Sequence, residues 1–360
     1  MKNDFNMAMR QATDLVRAGD LNAATQQIQS ALAGAGEQGP TVPKHSAAAQ
    51  GKPRGLRQTL ADLALRMPSN GTPPFGGNDP SVPKGARFDS GSFTCHAGSR
   101  EYRVYVPKPM TSQPSGMIMM LHGCTQSPVD FANGTGMNQM ADKHGVIVVY
   151  PAQSRGANLQ SCWNWFSPTD QDRDAGEPAI LAGLAEQLCR EYSVPQGKTF
   201  VAGLSAGAAM AVILGRTYSD SFAAVGAHSG LPYKAAHDMS SAFAAMGGAP
   251  APTSAYPVPT IVFHGQADNT VKAVNGQRIA DDARPKGPEV LDEGMTGGRR
   301  HDRATVLSDQ GHPVLEHWRV DGLGHAWSGG NAAGSYADPA GPDASAEMVR
   351  FFLDLPVKGE

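Results

Sequence analysis

Thr199-Phe200-Val201-Ala202-Gly203-Leu204-Ser205-Ala206-Gly207-Ala208-Ala209-Met210-Ala211-Val212-Ile213-Leu214 is the stretch that decides the fold. Residues 199–202 form a short apolar or β-branched run, which reads as a buried strand. From Ala206 onward an Ala-rich run reads as a helix. Between the two stands a G-x-S-x-G sequence with glycines at 203 and 207. Glycine lets the backbone turn sharply and lets strand and helix approach closely. Ser205 is thereby lifted to the tip of a strand–turn–helix, where a serine can act as a nucleophile.

The same texture extends on both sides. Apolar runs at 116–121, 146–150, 222–227, 259–264 and 314–320 read as strands, and 179–192 and 345–353 as helices. Continuous apolar strands separated by helices predict an α/β fold, a mostly parallel sheet with helices on both faces. Two alternating runs, 93–96 and 102–106, predict antiparallel strands at its start. Upstream, Phe5, Met9, Ala12, Leu15 and Val16, then Leu21, Ala24, Ile28 and Leu32, recur at helical spacing around Gly19-Asp20. They predict a helical hairpin over 1–33. Residues 34–85 hold 9 Gly and 8 Pro and read as a linker. Leu56, Leu60, Leu63 and Ala64 predict one short helix in it, ended by Met67-Pro68. The main domain is expected over 86–360.

Composition narrows the function. Thirty Lys+Arg against 33 Asp+Glu leave a net charge of −3, with charged residues at 18% of 360. Nucleic-acid binding through a cationic surface is not expected, because phosphate contacts need one. No apolar run reaches the ~18 residues of a membrane span, and no apolar signal core follows Met1. A cytoplasmic protein without membrane contact is therefore expected. Four cysteines without a C-x-x-C pair support neither a zinc ribbon nor a disulfide-built scaffold.

A serine hydroxyl needs a histidine to take its proton and a carboxylate to orient that histidine. With the elbow motif these follow in the order Ser, acid, His. Asp268 lies in the loop after the strand at 259–264, and His325 in the Gly-rich loop after the strand at 314–320. Both occupy the carboxyl ends of strands, where active sites of open α/β sheets collect. Among the rival histidines, His122 and His264 are expected to fix their own loops, and His228 to stand near the site. Two backbone N–H groups must face the oxyanion: that of Ala206, after the nucleophile, and that of Cys124, in the loop after an earlier strand. Cys162 follows the neighbouring strand, so a Cys124–Cys162 bridge would pin that loop. Two reduced thiols are the alternative in a cytosol. Cys95 and Cys189 read as core residues. This chemistry calls for no cofactor or metal.

Taken together, the segments 122–126 (HGCTQ), 161–166 (SCWNWF), 203–207 (GLSAG), 229–233 (SGLPY) and 324–327 (GHAW) resemble the esterase family of poly(3-hydroxybutyrate) depolymerases. The resemblance runs over about 86–355. It implies an α/β-hydrolase fold and hydrolysis of short-chain polyhydroxyalkanoate esters, with Ser205, Asp268 and His325 as nucleophile, acid and base and Cys124 in the oxyanion hole. The substrate expected is a polyester or oligoester. Much of that family is extracellular and carries a signal peptide, which this chain does not display. Feruloyl and acetylxylan esterases share much of the framework and form the alternative. A granule- or partner-binding protein with a vestigial hydrolase core is the alternative from another class. For residues 1–33 the readings are packing on the main domain, self-association and granule docking.

Substrate contact is expected from Trp327, Trp163, Trp165, Tyr233 and Gln126, because aromatic faces can line an ester groove. Trp163 or Trp165 reads equally as buried support. The run Asp170, Asp172, Asp174 lacks the Gly and Glu of a calcium loop, since Leu181 stands at the twelfth position. It is expected to face the N-terminus of the next helix. Arg299, Arg300 and Arg303 read as a solvated insertion loop.

Overall fold

The protein is described by a computed structural model covering residues 78–108, 113–256 and 258–356. The hairpin expected over 1–33, the short helix near 56–67 and most of the linker lie outside these residues. Residues 78 and 79 are tied to the main domain. The Asn78 carbonyl accepts from Asn133 Nδ2 at 3.0 Å, and Asp79 receives both Nη groups of Arg103.

Ten strands form one sheet: β1 (Arg87–Cys95), β2 (Gly98–Val106), β3 (Gly116–Leu121), β4 (Val146–Pro151), β5 (Thr199–Leu204), β6 (Ala224–His228), β7 (Thr260–Gly265), β8 (Glu289–Thr296), β9 (Arg299–Leu307) and β10 (Pro313–Val320). Their order is β1-β2-β4-β3-β5-β6-β7-β10-β9-β8. The centre, from β4 through β10, is parallel, and the flanking pairs are antiparallel. The central strands are buried on both faces, as their continuous apolar runs require.

Side chains alternate between two cores because the strand period is two. On β3, Met117, Met119 and Leu121 enter one core and Ile118 and Met120 the other. The first core is closed by α3 (Gly176–Glu191), α4 (Ala206–Thr217) and α6 (Val274–Ala283), through Leu184, Ile213 and Ile279 among others. The second is closed by α1 (Pro128–Thr135), α2 (Met137–His144) and α7 (Ala344–Asp354), through Phe131, Met137 and Phe352. This is the α/β-hydrolase architecture expected from the sequence. The short helix α5 (Met239–Met246) follows β6.

The sequence reading passed over α1, α2, α5 and α6. The first two are eight residues each, too short for their periodicity to stand out. Their punctuation is legible in retrospect: Ser127 Oγ caps α1 by accepting the Asp130 N–H, and Gly136 and Gly145 end α1 and α2 at φ 65° and 67°. The arginine-rich stretch is corrected as well. Arg299, Arg300 and Arg303 stand on strand β9, which pairs with the exposed edge strand β8 and with β10. Arg303 lies 4.9 Å from the Trp318 ring centroid and pairs with Asp292, so cross-strand contacts order a segment rich in charge. Cys95 and Cys189 are half-buried free thiols, and Cys189 packs against the first core.

Candidate active site

Parallel pairing carries the expected residues to one edge of the sheet. The register sets Leu204 opposite His228, His228 opposite Phe263 and Gly265 opposite Val320. The loops after β5, β7 and β10 therefore leave side by side, and they carry Ser205, Asp268 and His325.

Ser205 adopts φ 59° and ψ −119°, a strained conformation for a residue with a side chain. The glycines beside it are steric requirements. A Cβ on Gly207 would stand 2.0 Å from the Leu121 carbonyl oxygen, and one on Gly203 would stand 2.5 Å from the Gly207 carbonyl carbon. Strand β5 and helix α4 thus meet at backbone contact, and neither glycine position has room for a side chain.

Asp268 is buried, 2% exposed, and both of its oxygens accept hydrogen bonds. Oδ1 accepts the N–H groups of Thr270 and Val271, both at 2.9 Å, and Oδ2 accepts His325 Nδ1–H at 2.8 Å. Burial alone would raise the carboxyl pKa. The His325 hydrogen bond, the nearby imidazoles of His325 and His264 and the Val271 N–H outweigh it and hold the carboxyl below its usual value. With Nδ1 bound to Asp268, His325 keeps Nε2 for the reacting proton. Ser205 Oγ and His325 are not hydrogen-bonded to each other, a contact that in such sites often tightens only with substrate.

The loop after β3 faces the nucleophile, since a Cβ on Gly123 would stand 3.6 Å from that of Ser205. Several contacts hold it. Cys124 is joined to Cys162 by a disulfide. The Gly123 N–H donates to Gln126 Oε1, while Gln126 Nε2 donates to Asp130 and to the Ser335 carbonyl. His122 donates from Nδ1 to the Gly123 carbonyl and accepts the Gln153 N–H on Nε2. Burial lowers the His122 pKa to about 4, so the acceptor persists at neutral pH. Among the described residues, no protein acceptor takes the Cys124 N–H, and Ala206 opens α4, where the first N–H groups have no intrahelical partner. These are the two amides expected to hold an oxyanion.

The substrate-contact expectations fare differently. Trp163 and Trp327 are 0% and 1% exposed and cannot line an open groove. Trp163 Nε1 donates to the His122 carbonyl, and Trp327 Nε1 donates to Ser345 Oγ. Trp165 is buried edge-on against Phe166, and the buried Tyr233 hydroxyl donates to the Gln171 carbonyl. Gln126 is committed to Gly123, Asp130 and the Ser335 carbonyl. The physical reason is shared: the polar groups of Trp163, Trp327, Tyr233 and Gln126 have internal partners, and the long loops at this rim need rigid packing beneath them. His228 is likewise enclosed rather than exposed in the site. In the acidic run, Asp170 Oδ1 accepts the Glu177 N–H at the start of α3, as expected, while Asp172 pairs with Lys234.

Two contributors were missed by the sequence reading. Glu177 is buried and gathers Arg100, Gln153 and both the N–H and Nδ2 of Asn164. It orders the loop that carries Cys162, and burial raises its pKa. Tyr336, at φ 50°, presents its ring edge-on to His325 with centroids 6.4 Å apart, and its hydroxyl lies 3.4 Å from Thr125 Oγ1. Only the acid at a helix N-terminus hinted at the first, and nothing local at the second.

The family model described as esterase PHB depolymerase matches residues 100–302. Poly(3-hydroxyalkanoate) depolymerase C of Paucimonas lemoignei is 30% identical over 254 residues, covering 65% of this chain and 60% of that protein. Feruloyl esterase B of Talaromyces funiculosus is 26% identical over 213 residues, covering 52% and 59%. The chain thus spans about three-fifths of the length of these relatives. The solved acetyl xylan esterase from Aspergillus awamori shares the fold, with a TM-score of 0.55 and 19% identity over 71% of this chain and 94% of that one.

Proposed function

The chain belongs to the esterase PHB depolymerase family, and on that premise we propose that it is a serine esterase cleaving 3-hydroxyalkanoate esters through an acyl-enzyme. One observation carries the reading. The buried Asp268 binds His325 Nδ1 at 2.8 Å, on the sheet edge where Ser205 stands on its strained turn.

His325 Nε2 takes the Ser205 proton as Oγ attacks the ester carbonyl. The negative oxygen is held by the N–H groups of Cys124 and Ala206, and two such donors are worth several kcal/mol at the transition state, about 3 kcal/mol each. The tetrahedral species expels the alkoxy oxygen, which leaves as a hydroxyl carrying the proton from His325. A water molecule gives a proton to His325 and adds to the acyl carbon. Ser205 then leaves with that proton, and the free acid is released. Asp268 holds the imidazole in the Nδ1–H tautomer and stabilises its charged form.

The polyhydroxyalkanoate substrate is supported by the Paucimonas lemoignei relative, which aligns over more of this chain than the feruloyl esterase does. The second reading, a feruloyl or acetylxylan ester, is supported by the feruloyl esterase relative. We assign the reaction to residues 86–360. The test is the rate on 3-hydroxybutyrate oligomers and on methyl ferulate, for the wild type and Ser205→Ala. Cleavage of the oligomers that vanishes in Ser205→Ala sustains the proposal. Cleavage of methyl ferulate alone moves the substrate to hydroxycinnamate esters, and undiminished turnover by Ser205→Ala ends the serine mechanism.

A further inference from the structure

His228 ends β6, is wholly enclosed and takes no part in the steps above. Its main chain and its side chain reach in different directions. The carbonyl oxygen accepts the Ser205 N–H at 2.9 Å. On the ring, Nε2 accepts the Ser328 N–H at 3.0 Å. Ser328 follows His325 by three residues, and the intervening Trp327 stacks on the imidazole with centroids 5.1 Å apart. Against the other side of the ring lies Phe263, at 5.8 Å and nearly parallel. Phe263 belongs to β7, whose exit loop carries Asp268. One residue therefore touches the segments that bear nucleophile, base and acid.

A role in packing alone would ask only for a flat ring of the right volume. The hydrogen bonds ask for more. To accept the Ser328 N–H, Nε2 must carry its lone pair, so the ring proton sits on Nδ1, which faces Ser229 Oγ at 3.3 Å. Burial, reinforced by the neighbouring His264 and His325 and opposed by Asp268, lowers the His228 pKa to about 3. The acceptor is thus available throughout the neutral range. The loop that bears His325 is rich in glycine and is held largely from outside, the Leu323 carbonyl accepting the Ala267 N–H and the Trp327 N–H donating to the Tyr336 carbonyl, with His228 Nε2 the acceptor for the next N–H, that of Ser328. An external anchor is what such a loop needs, because sub-ångström placement of a base sets the rate.

We propose that His228 is a positioning residue, its carbonyl holding the Ser205 turn and its Nε2 lone pair holding the His325 loop, so that base and nucleophile are kept in register. The proposal rests on the esterase reading of the site. Its test compares His228→Met, which fills similar volume without an equivalent acceptor, with His228→Gln, which retains one. Turnover of p-nitrophenyl acetate is measured, and fluorophosphonate labelling counts competent active sites. The expected result is a fall in kcat on the order of 10–100-fold in His228→Met with KM little changed, and recovery to within about threefold in His228→Gln, at matched thermal midpoints. Equal losses in the two variants, or no loss in either, would overturn it. NMR of the ¹⁵N-labelled wild type supplies a reading that survives a failure of either variant to fold. A coupling from the Ser328 amide to an unprotonated imidazole Nε2 is expected, and a protonated Nε2 there sinks the idea. A wild type that neither labels nor turns over ester would instead refute the esterase reading itself, whatever the tautomer of His228.

Discussion

Asp268 and His325 are joined by a 2.8 Å hydrogen bond in which the carboxylate is buried and the imidazole is 12% exposed. The bond selects the tautomer that leaves Nε2 unprotonated. Asp268→Asn would preserve the shape but favour the wrong tautomer, since an amide can offer N–H where oxygen is needed. The expected outcome is a fall in kcat of about 10³–10⁴-fold with little change in KM. Steady-state kinetics on a soluble ester checks it, and a loss under about tenfold would contradict the assigned role.

The Cys124–Cys162 disulfide closes a loop of sequence separation 38 beside the proposed oxyanion donor. Cys162→Ser is expected to lower stability by about 2–4 kcal/mol through the entropy returned to the unfolded chain. Because Cys124 is the donor residue itself, kcat should also fall in the folded variant. Denaturant titration and kinetics, each with and without reductant, test both parts. Indifference of the wild type to reductant under conditions that open the bridge would refute the second.

Gly207→Ala puts a methyl group 2.0 Å from the Leu121 carbonyl oxygen, a contact with backbone that cannot move aside. Strand and helix would have to separate, at a cost of about 3 kcal/mol or more. The variant should be poorly soluble or melt well below the wild type. A thermal midpoint within a degree or two of wild type would show that the turn is looser than its geometry indicates.

Four buried imidazoles, those of His122, His228, His264 and His317, make the fold acid-sensitive, since burial lowers the pKa of each. Burial lowers His122 to about 4, and His228 and His317 to about 3, against about 6.5 when unfolded. The unfolded chain therefore binds protons that the folded chain refuses. The stability these groups contribute is complete above about pH 6.5 and declines as pH falls toward 4, by about 1.4 kcal/mol per pH unit for each histidine. Glu177 works in the opposite direction, because its raised pKa favours the folded state as it takes up its proton. The net expectation is a thermal midpoint that drops steadily from pH 7 to pH 4.5. Calorimetry across that range decides, and a flat profile would count against neutral burial of these rings.

Much of this was legible because it is local. The elbow is written within nine residues, and its glycines and serine imply both the strand before and the helix after. Asp268 and His325 could be picked out by chain order and by their place after apolar strands. The tryptophans could not be read in the same way. An aromatic cluster in a loop has the same spacing whether it faces a cleft or lies under one, and Trp163 and Trp327 proved to lie beneath. Strand β9 escaped notice because its arginines find partners only across the sheet, on Asp292 and Trp318.

The sequence by itself determined the succession of the central parallel strands, their two-faced burial and the identity of the serine turn. Those properties follow from period, size and backbone freedom, which neighbouring residues settle among themselves. The tertiary structure alone decided which polar groups are spent inside. Gln126 on Ser335, Glu177 on Arg100, and His228 between Ser205 and Ser328 are choices made by segments tens to hundreds of residues apart. A buried donor or acceptor must find a partner wherever the fold brings one, and only the folded chain says where that is.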